Sequence, residues 1–209
     1  ALVATPALSW LPEAAEAAPR LVPTPHQTEG PFYPLDWSGD IDTDLVTFTG
    51  STGRPAGQVA LLSGRVLDTS GTPIAGARID IWQCDDHGVY RHPGDNGPGR
   101  QPDPAFQGHG RTTSDADGRY AFRTLMPKPY PGRAPHIHVK VVVRGGPTLT
   151  TQLYVHGDPA NDRDGPLNSI RDRRQRESLI VRFEPADAIE PGARAGTFDI
   201  VMASRARRA

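Results

Sequence analysis

Only one cysteine, Cys84, stands among the 209 residues. They hold no internal disulfide, and a zinc site built on several thiolates is excluded. Charge nearly cancels: 23 Lys and Arg against 24 Asp and Glu leave a net −1. There is no basic field to attract nucleic acid or an anionic membrane surface. No run is long and apolar enough to cross a bilayer as a helix. Apolar residues make up only 36%, and no internal repeat is visible. Turn formers are abundant instead, with 22 Gly and 22 Pro. That balance points to short strands joined by many turns rather than long helices. At this length one domain with appendages is expected.

The first eighteen residues are rich in alanine, and Ala15-Glu16-Ala17 has the small-x-small form of a signal-peptidase site. Two readings stand side by side, the remnant of an export signal and a plain Ala/Pro-rich arm. Exported and cytoplasmic locations therefore both stay open. An arm with no core of its own becomes ordered by lying on another surface, and a homo-oligomer joined through it is one expectation. Residues 21–35, LVPTPHQTEGPFYPL, are too proline-rich for a helix or a central strand. Phe32 and Tyr33 in that stretch need burial, so it reads as a packed lead-in. Residues 1–35 are accordingly assigned as arm and lead-in, and 36–209 as a single domain.

Within that domain, strands are expected near 45–48 and over 58–67, 77–83, 119–124, 136–143, 149–155, 179–183 and 197–202. The 77–83 stretch alternates Ala77, Ile79 and Ile81 against Arg78, Asp80 and Trp82, the pattern of a half-buried strand. Residues 91–110 read as a long loop of the kind that rims functional sites. A hairpin turning at Arg144-Gly145-Gly146 joins the 136–143 and 149–155 strands. Centred on Gly145, it sets Gln152 opposite His138 on the same face. A short helix is expected from Asn168, and the last five residues are a basic, solvated tail. Short strands with turns every 8–12 residues or so predict a mainly β fold, an antiparallel β-sandwich whose long loops form the site.

The stretch Tyr130-Pro131-Gly132-Arg133-Ala134-Pro135-His136-Ile137-His138 carries the chemistry. Spacing by two on a strand puts His136 and His138 on one face, while Ile137, Val139, Val141 and Val143 face a core. A Pro/Gly bend turns Tyr130 back toward the imidazoles, with Arg133 between. Tyr90 follows the Ile81-Trp82-Gln83-Cys84 strand, just before the long loop. If Tyr90, Tyr130, His136 and His138 converge, two neutral imidazoles and two phenolates form a set without sulfur. A phenol ionises near pH 10 in water, so only a strongly Lewis-acidic ion keeps two of them deprotonated at neutral pH. Two phenolate charges suit a trivalent ion, Fe(III), better than zinc or magnesium.

Three segments, GRVLDTSGTPIAGARIDIWQCDDHGVY, FQGHGRTTSDADGRYAFRTLMPKPYPGRAPHIHVKV and TQLYVHGDP, resemble the intradiol ring-cleavage dioxygenases of the protocatechuate 3,4-dioxygenase type. The D-x-x-G-x-P and D-x-D-G-x-Y-x-F pieces also occur in non-catalytic transthyretin-like modules, so they speak for a transthyretin-like core rather than for the activity. The tyrosine after the Trp-Gln strand, the Tyr-Pro-x-Arg segment and Pro-His-Ile-His are the specific part. The resemblance implies Fe(III) held by Tyr90, Tyr130, His136 and His138, with Tyr130 the ligand that leaves when substrate binds. It implies roles for Arg133 and Gln152, and a catecholic substrate opened by O2 between its hydroxyl-bearing carbons to a cis,cis-muconate. Arg-Ala-Pro-His stands here where Arg-Pro-Ala-His is usual in the family, and the link from Tyr130 to His136 is short. Arg91, Arg100, Arg111 and Lys128 are candidates to meet a ring carboxylate, and His87, His92 and His109 lie near the long loop. Two other readings are weighed. One is a non-catalytic transthyretin-like binding module. The other is a zinc hydrolase using Asp85 or Asp86 as acid and base.

Overall fold

In a computed structural model of the protein, residues 20–51 and 53–203 are described. The alanine-rich arm, its signal-like tripeptide and the basic tail at 205–209 lie outside the described residues.

The chain is mainly β, in two mixed five-stranded sheets. The first is centred on β1 (Val59–Asp68). It takes β4 (Arg119–Leu125) along one edge; β9 (Arg194–Thr197) and β10 (Ile200–Met202) share the other, and β8 (Phe183–Pro185) lies beyond β9. The second runs β3 (His109–Thr113), β2 (Arg78–Trp82), β5 (His136–Val142), β6 (Thr148–Val155) and β7 (Ile180–Val181). Alternate residues of both sheets, among them Leu62, Tyr120 and Phe122 with Ile79, Ile81, Ile137, Val139 and Leu153, form one apolar cluster. Each such side chain contributes about 1.5–3 kcal/mol when removed from water.

The expected all-antiparallel pairing is corrected. β1 runs parallel to β9 and β10, and β6 runs parallel to β7. Parallel neighbours need a long crossover. Residues 156–179 supply one through two short helices, α1 (Gly165–Asn168) and α2 (Arg173–Glu177). The helix expected from Asn168 thus ends there. The 179–183 strand divides, β7 joining one sheet and β8 the other, and the 197–202 strand divides into β9 and β10. No strand forms at 45–48; a single bridge, Asp44 to Arg123, lies just before it. β3 begins inside the stretch read as loop and was not expected, because His109-Gly110-Arg111-Thr112-Thr113 has no apolar alternation to announce it. The β5–β6 hairpin pairs His138 with Gln152, the predicted register.

β2 is buried on both faces, not half-buried: Asp80 and Trp82 are as inaccessible as Ile79 and Ile81. The cover is the lead-in, which crosses the outer face of the second sheet strand by strand. Gln27 N–H donates to Thr150 O on β6, and Gln152 Nε2 donates to Thr28 O. Glu29 pairs with Lys140 on β5 at 2.6 Å. Tyr33 donates to Asp80 Oδ2 on β2 and meets Trp82 edge-on. Trp37 lies against His109 and under the Arg111 guanidinium on β3. Prolines 23, 25, 31 and 34 keep this segment from joining the sheet as a strand.

Candidate metal centre

The outer face of the second sheet carries His136 and His138 on β5, Gln152 and Tyr154 on β6, and Trp82 on β2. Strand alternation places all five there. His136 and His138 are 1% and 2% exposed. Their Nε2 atoms lie 3.2 Å apart, and the Tyr90 hydroxyl is 3.4 Å from His136 Nε2. His136 Nδ1 is 2.6 Å from Ala134 O. A carbonyl only accepts, so Nδ1 holds the proton and the Nε2 lone pair faces the cluster. Trp82 stacks on His138 at 4.7 Å and 11° and fixes its ring plane.

The tyrosines arrive by turns. β2 ends at Trp82, short of the strand expected to reach Cys84, and the chain reverses over 85–89. Asp85 Oδ1 accepts the His87 and Val89 amides, and Asp85 N–H donates to Val89 O. Gly88 is needed there because a Cβ would come within 3.0 Å of Pro129 O. Its bareness lets the 128–130 segment close in, and the rings of Tyr90 and Tyr130 stand 5.7 Å apart. The Pro131-Gly132 turn is closed by Arg133 N–H donating to Tyr130 O. It brings Arg133 Nη1 to 3.3 Å from the Tyr130 hydroxyl. The Tyr130 ring is 5.5 Å from that of His136. Phe32 of the lead-in stacks on Tyr90 at 4.8 Å.

Arg133 is tied at every arm. Nε donates to Asp164 Oδ2 at 2.8 Å, and Nη2 donates to Gln152 Oε1 and Tyr154 Oη. The Tyr154 hydroxyl lies 3.0 Å from both Gln27 Oε1 and Gln152 Oε1. Burial raises the Tyr90 phenol well above its usual range. Tyr130 is also raised by burial, although Arg133 opposes that. Burial, helped by Arg133, lowers His136 to about 4 and puts His138 well below 6.5. Without a cation the four groups are neutral.

These donors fit a metal ion. Two ligands about 2.1 Å from one ion lie about 3–3.4 Å apart, the separation seen between the imidazoles. Among the described residues no three His, Cys, Asp or Glu side chains group as a cation site; the oxygens beside the two imidazoles are the Tyr90 and Tyr130 hydroxyls. Asp85 and Asp86, weighed as acid and base for a hydrolase, are spent elsewhere. Asp85 accepts the amides of His87, Val89 and Asp103, and Asp86 pairs with Lys128. The cations weighed for a ring carboxylate are also engaged. Arg91 donates to the carbonyls of Asp103, Pro104 and Phe106, Arg100 pairs with Asp95, and Arg111 pairs with Asp80. His92 accepts from the Gly94 amide, and His109 packs on Trp37. A surface cavity of about 670 Å³, whose lining includes Ser63, Arg65 and Asp199, shares no residue with this cluster.

Sequence reasoning did not find Asp164, Tyr154 or Gln27. Tyr154 had a signal, since it lies two residues after Gln152 on the same strand face. Asp164 had none.

Comparison with known proteins gives a consistent picture. A family model described as Dioxygenase matches residues 28–204. The protocatechuate 3,4-dioxygenase beta chain of Burkholderia cepacia is 36% identical over 184 residues, 84% of this chain and 77% of that one. The hydroxyquinol 1,2-dioxygenase of Nocardioides simplex is 34% identical, covering 83% of this chain and 62% of the relative. The dioxygenase domain of a dioxygenase–carbohydrate-binding protein fusion from Streptomyces sp. SirexAA-E superposes with a TM-score of 0.67 at 34% identity. That match covers 88% of this chain and 99% of that domain.

Proposed function

We propose a function from one premise: this chain belongs to the intradiol ring-cleaving dioxygenase family, matched over residues 28–204 and 36% identical to a protocatechuate 3,4-dioxygenase chain. The reading is a non-haem Fe(III) enzyme that opens a catecholic ring with O2 between its two hydroxyl-bearing carbons, giving a cis,cis-muconate-type diacid. The observation that carries it is the buried convergence of His136 Nε2 with His138 Nε2 at 3.2 Å and the Tyr90 hydroxyl at 3.4 Å, with Tyr130 beside them. Tyr90, Tyr130, His136 and His138 would hold the iron, and residues 36–209 with the lead-in would form the catalytic sandwich. When bound, ferric iron acts as a Lewis acid that draws electron density from a chelated catechol and opens its ring to O2.

The chain's own groups divide the remaining work. Tyr90 is 2% exposed beneath Phe32 and is the fixed phenol. Tyr130 is less buried and is touched by Arg133, so it is the phenol that can swing away and carry off a proton from a substrate hydroxyl. Once it has moved, the Arg133 guanidinium is left beside the negative charge that develops on the substrate. Gln152 is pinned by Thr28 O and in turn orients Arg133. Engagement of Arg91, Arg100, Arg111 and Lys128 with other partners favours a ring without a carboxylate, such as catechol or hydroxyquinol.

The test is the visible spectrum of the iron-loaded protein before and after catechol is added under argon. A broad phenolate-to-iron band that moves to longer wavelength with catechol, followed by O2 uptake on admitting air, is the expected result. A protein that stays colourless after ferric reconstitution would remove the reading and leave a transthyretin-like binding module.

A further inference from the structure

Asp164 is far from the histidines in sequence and belongs to no motif, yet it is 1% exposed. It sits just before α1, on the crossover that makes β7 parallel to β6. Its Oδ1 accepts the Leu167 amide at 2.9 Å, which caps that short helix. Its Oδ2 accepts twice, from Arg133 Nε at 2.8 Å and from the Ala134 amide at 2.9 Å. The Ala134 carbonyl is the acceptor for His136 Nδ1. One carboxylate oxygen thus fixes the guanidinium that touches the Tyr130 hydroxyl and the N–H of the residue whose carbonyl sets the tautomer of His136. Burial opposes its charge, but Arg133 and the Leu167 and Ala134 amides outweigh it and keep the carboxyl below its ordinary range.

A helix cap alone does not account for this. Asp172 caps α2 through the Gln175 amide, but it is exposed and makes no link to the site. Arg133 also needs a restraint on Nε. Once Tyr130 leaves, Nη2 alone would hold the group through Gln152 and Tyr154, and a free Nε would let the planar guanidinium turn about the Cδ–Nε bond. A fork fixed at three points stays in plane when one partner departs. From this geometry we propose that Asp164 is a positioning residue for ring cleavage. It holds the Arg133 guanidinium and the Ala134 peptide in place, so that the charge beside the substrate does not follow Tyr130 when that phenol leaves. The proposal rests on the dioxygenase reading above.

The experiment compares iron-loaded wild type, D164N, R133K, the D164N/R133K double variant and D172N as a control. Iron content, the phenolate band, kcat and KM for catechol and the melting temperature are read for each. D164N is expected to keep its iron and band while kcat falls about 10–100-fold, the usual effect of removing an outer-shell partner, with KM moving less than about threefold. R133K keeps the charge but not the fork, so the double variant should be no slower than the slower single variant. D172N should match wild type. Should D164N fold poorly, D164E carries the same expectation, because it keeps the charge and shifts the carboxylate by one methylene. A D164N enzyme with wild-type kcat and only a lowered melting temperature would overturn the proposal, as would multiplicative losses in the double variant. A wild type that neither binds iron with colour nor consumes O2 with catechol would overturn the dioxygenase reading itself.

Discussion

The two sheets follow the same alternating rule and meet different fates. On β1 and β4 the outward residues Ser63, Arg65, Arg119 and Ala121 lie in solvent. On β2, β5 and β6 the outward residues Asp80, Trp82, His136, His138, Gln152 and Tyr154 are buried, though all but Trp82 are polar or titratable. The first sheet has a core face and a wet face. The second has a core face and a face covered by its own lead-in and crossover. Burial of a polar face is costly where a group lacks a partner; Thr28, Gln27, Tyr33 and Arg111 come from other segments to serve Gln152, Tyr154 and Asp80, while Trp82 Nε1 and His138 Nδ1 have none. The candidate site sits on the covered face, where His136, His138 and Tyr90 are buried, neutral and close together.

The largest test of that contrast is on the covered face itself. His138→Ala should remove the charge-transfer colour and reduce activity by more than the 10–100-fold typical of outer-shell changes, as measured by iron content and O2 uptake. The same face should make the iron-free protein acid-sensitive. His136 is lowered to about 4 and His138 well below 6.5 when folded, mainly by burial, whereas both return to about 6.5 when unfolded. Below that value the unfolded chain binds protons the folded chain refuses, so folding stability is lost as pH falls from about 6.5 toward 4. Calorimetric melting of iron-free protein across that range should drop steadily, and a flat profile would contradict the dry site.

The lead-in offers a gentler perturbation. Gly30 has φ +71°, and a Cβ there would lie 3.3 Å from His138 Cε1. Gly30→Ala should cost about 1–2 kcal/mol for the left-handed backbone alone and shift the phenolate band, because it pushes the strap off the imidazole. A band unchanged in position would show that the strap covers the site without pressing on it. The wet face sets the lower bound. Ser63→Ala should change stability by less than about 0.5 kcal/mol and leave turnover untouched, as denaturant titration and kinetics would verify.

Much of the site was legible before folding because its signals are local. His136 and His138 two apart, the Pro-Gly bend between Tyr130 and Arg133, and the hairpin that puts Gln152 opposite His138 all depend on short-range geometry. The β1, β4, β5 and β6 strands carry apolar alternation and were legible for the same reason. β3 was not, since its burial comes from Trp37 and Asp80 rather than from its own residues. The splits at Arg182 and between Thr197 and Ile200 were not either, because a chain that changes sheets keeps the composition of one strand.

The sequence by itself determined the pair of histidines on one strand face, the phenol next to them and the family to which the chain belongs, since spacing and turn chemistry act over a few residues. Only the tertiary structure decided that Tyr90 reaches His136 across 46 positions, that the lead-in closes over the face they share, and that Asp164 takes hold of Arg133 from 31 residues away. Those contacts join segments whose meeting depends on how the two sheets are connected, and no periodicity along the chain encodes that connection.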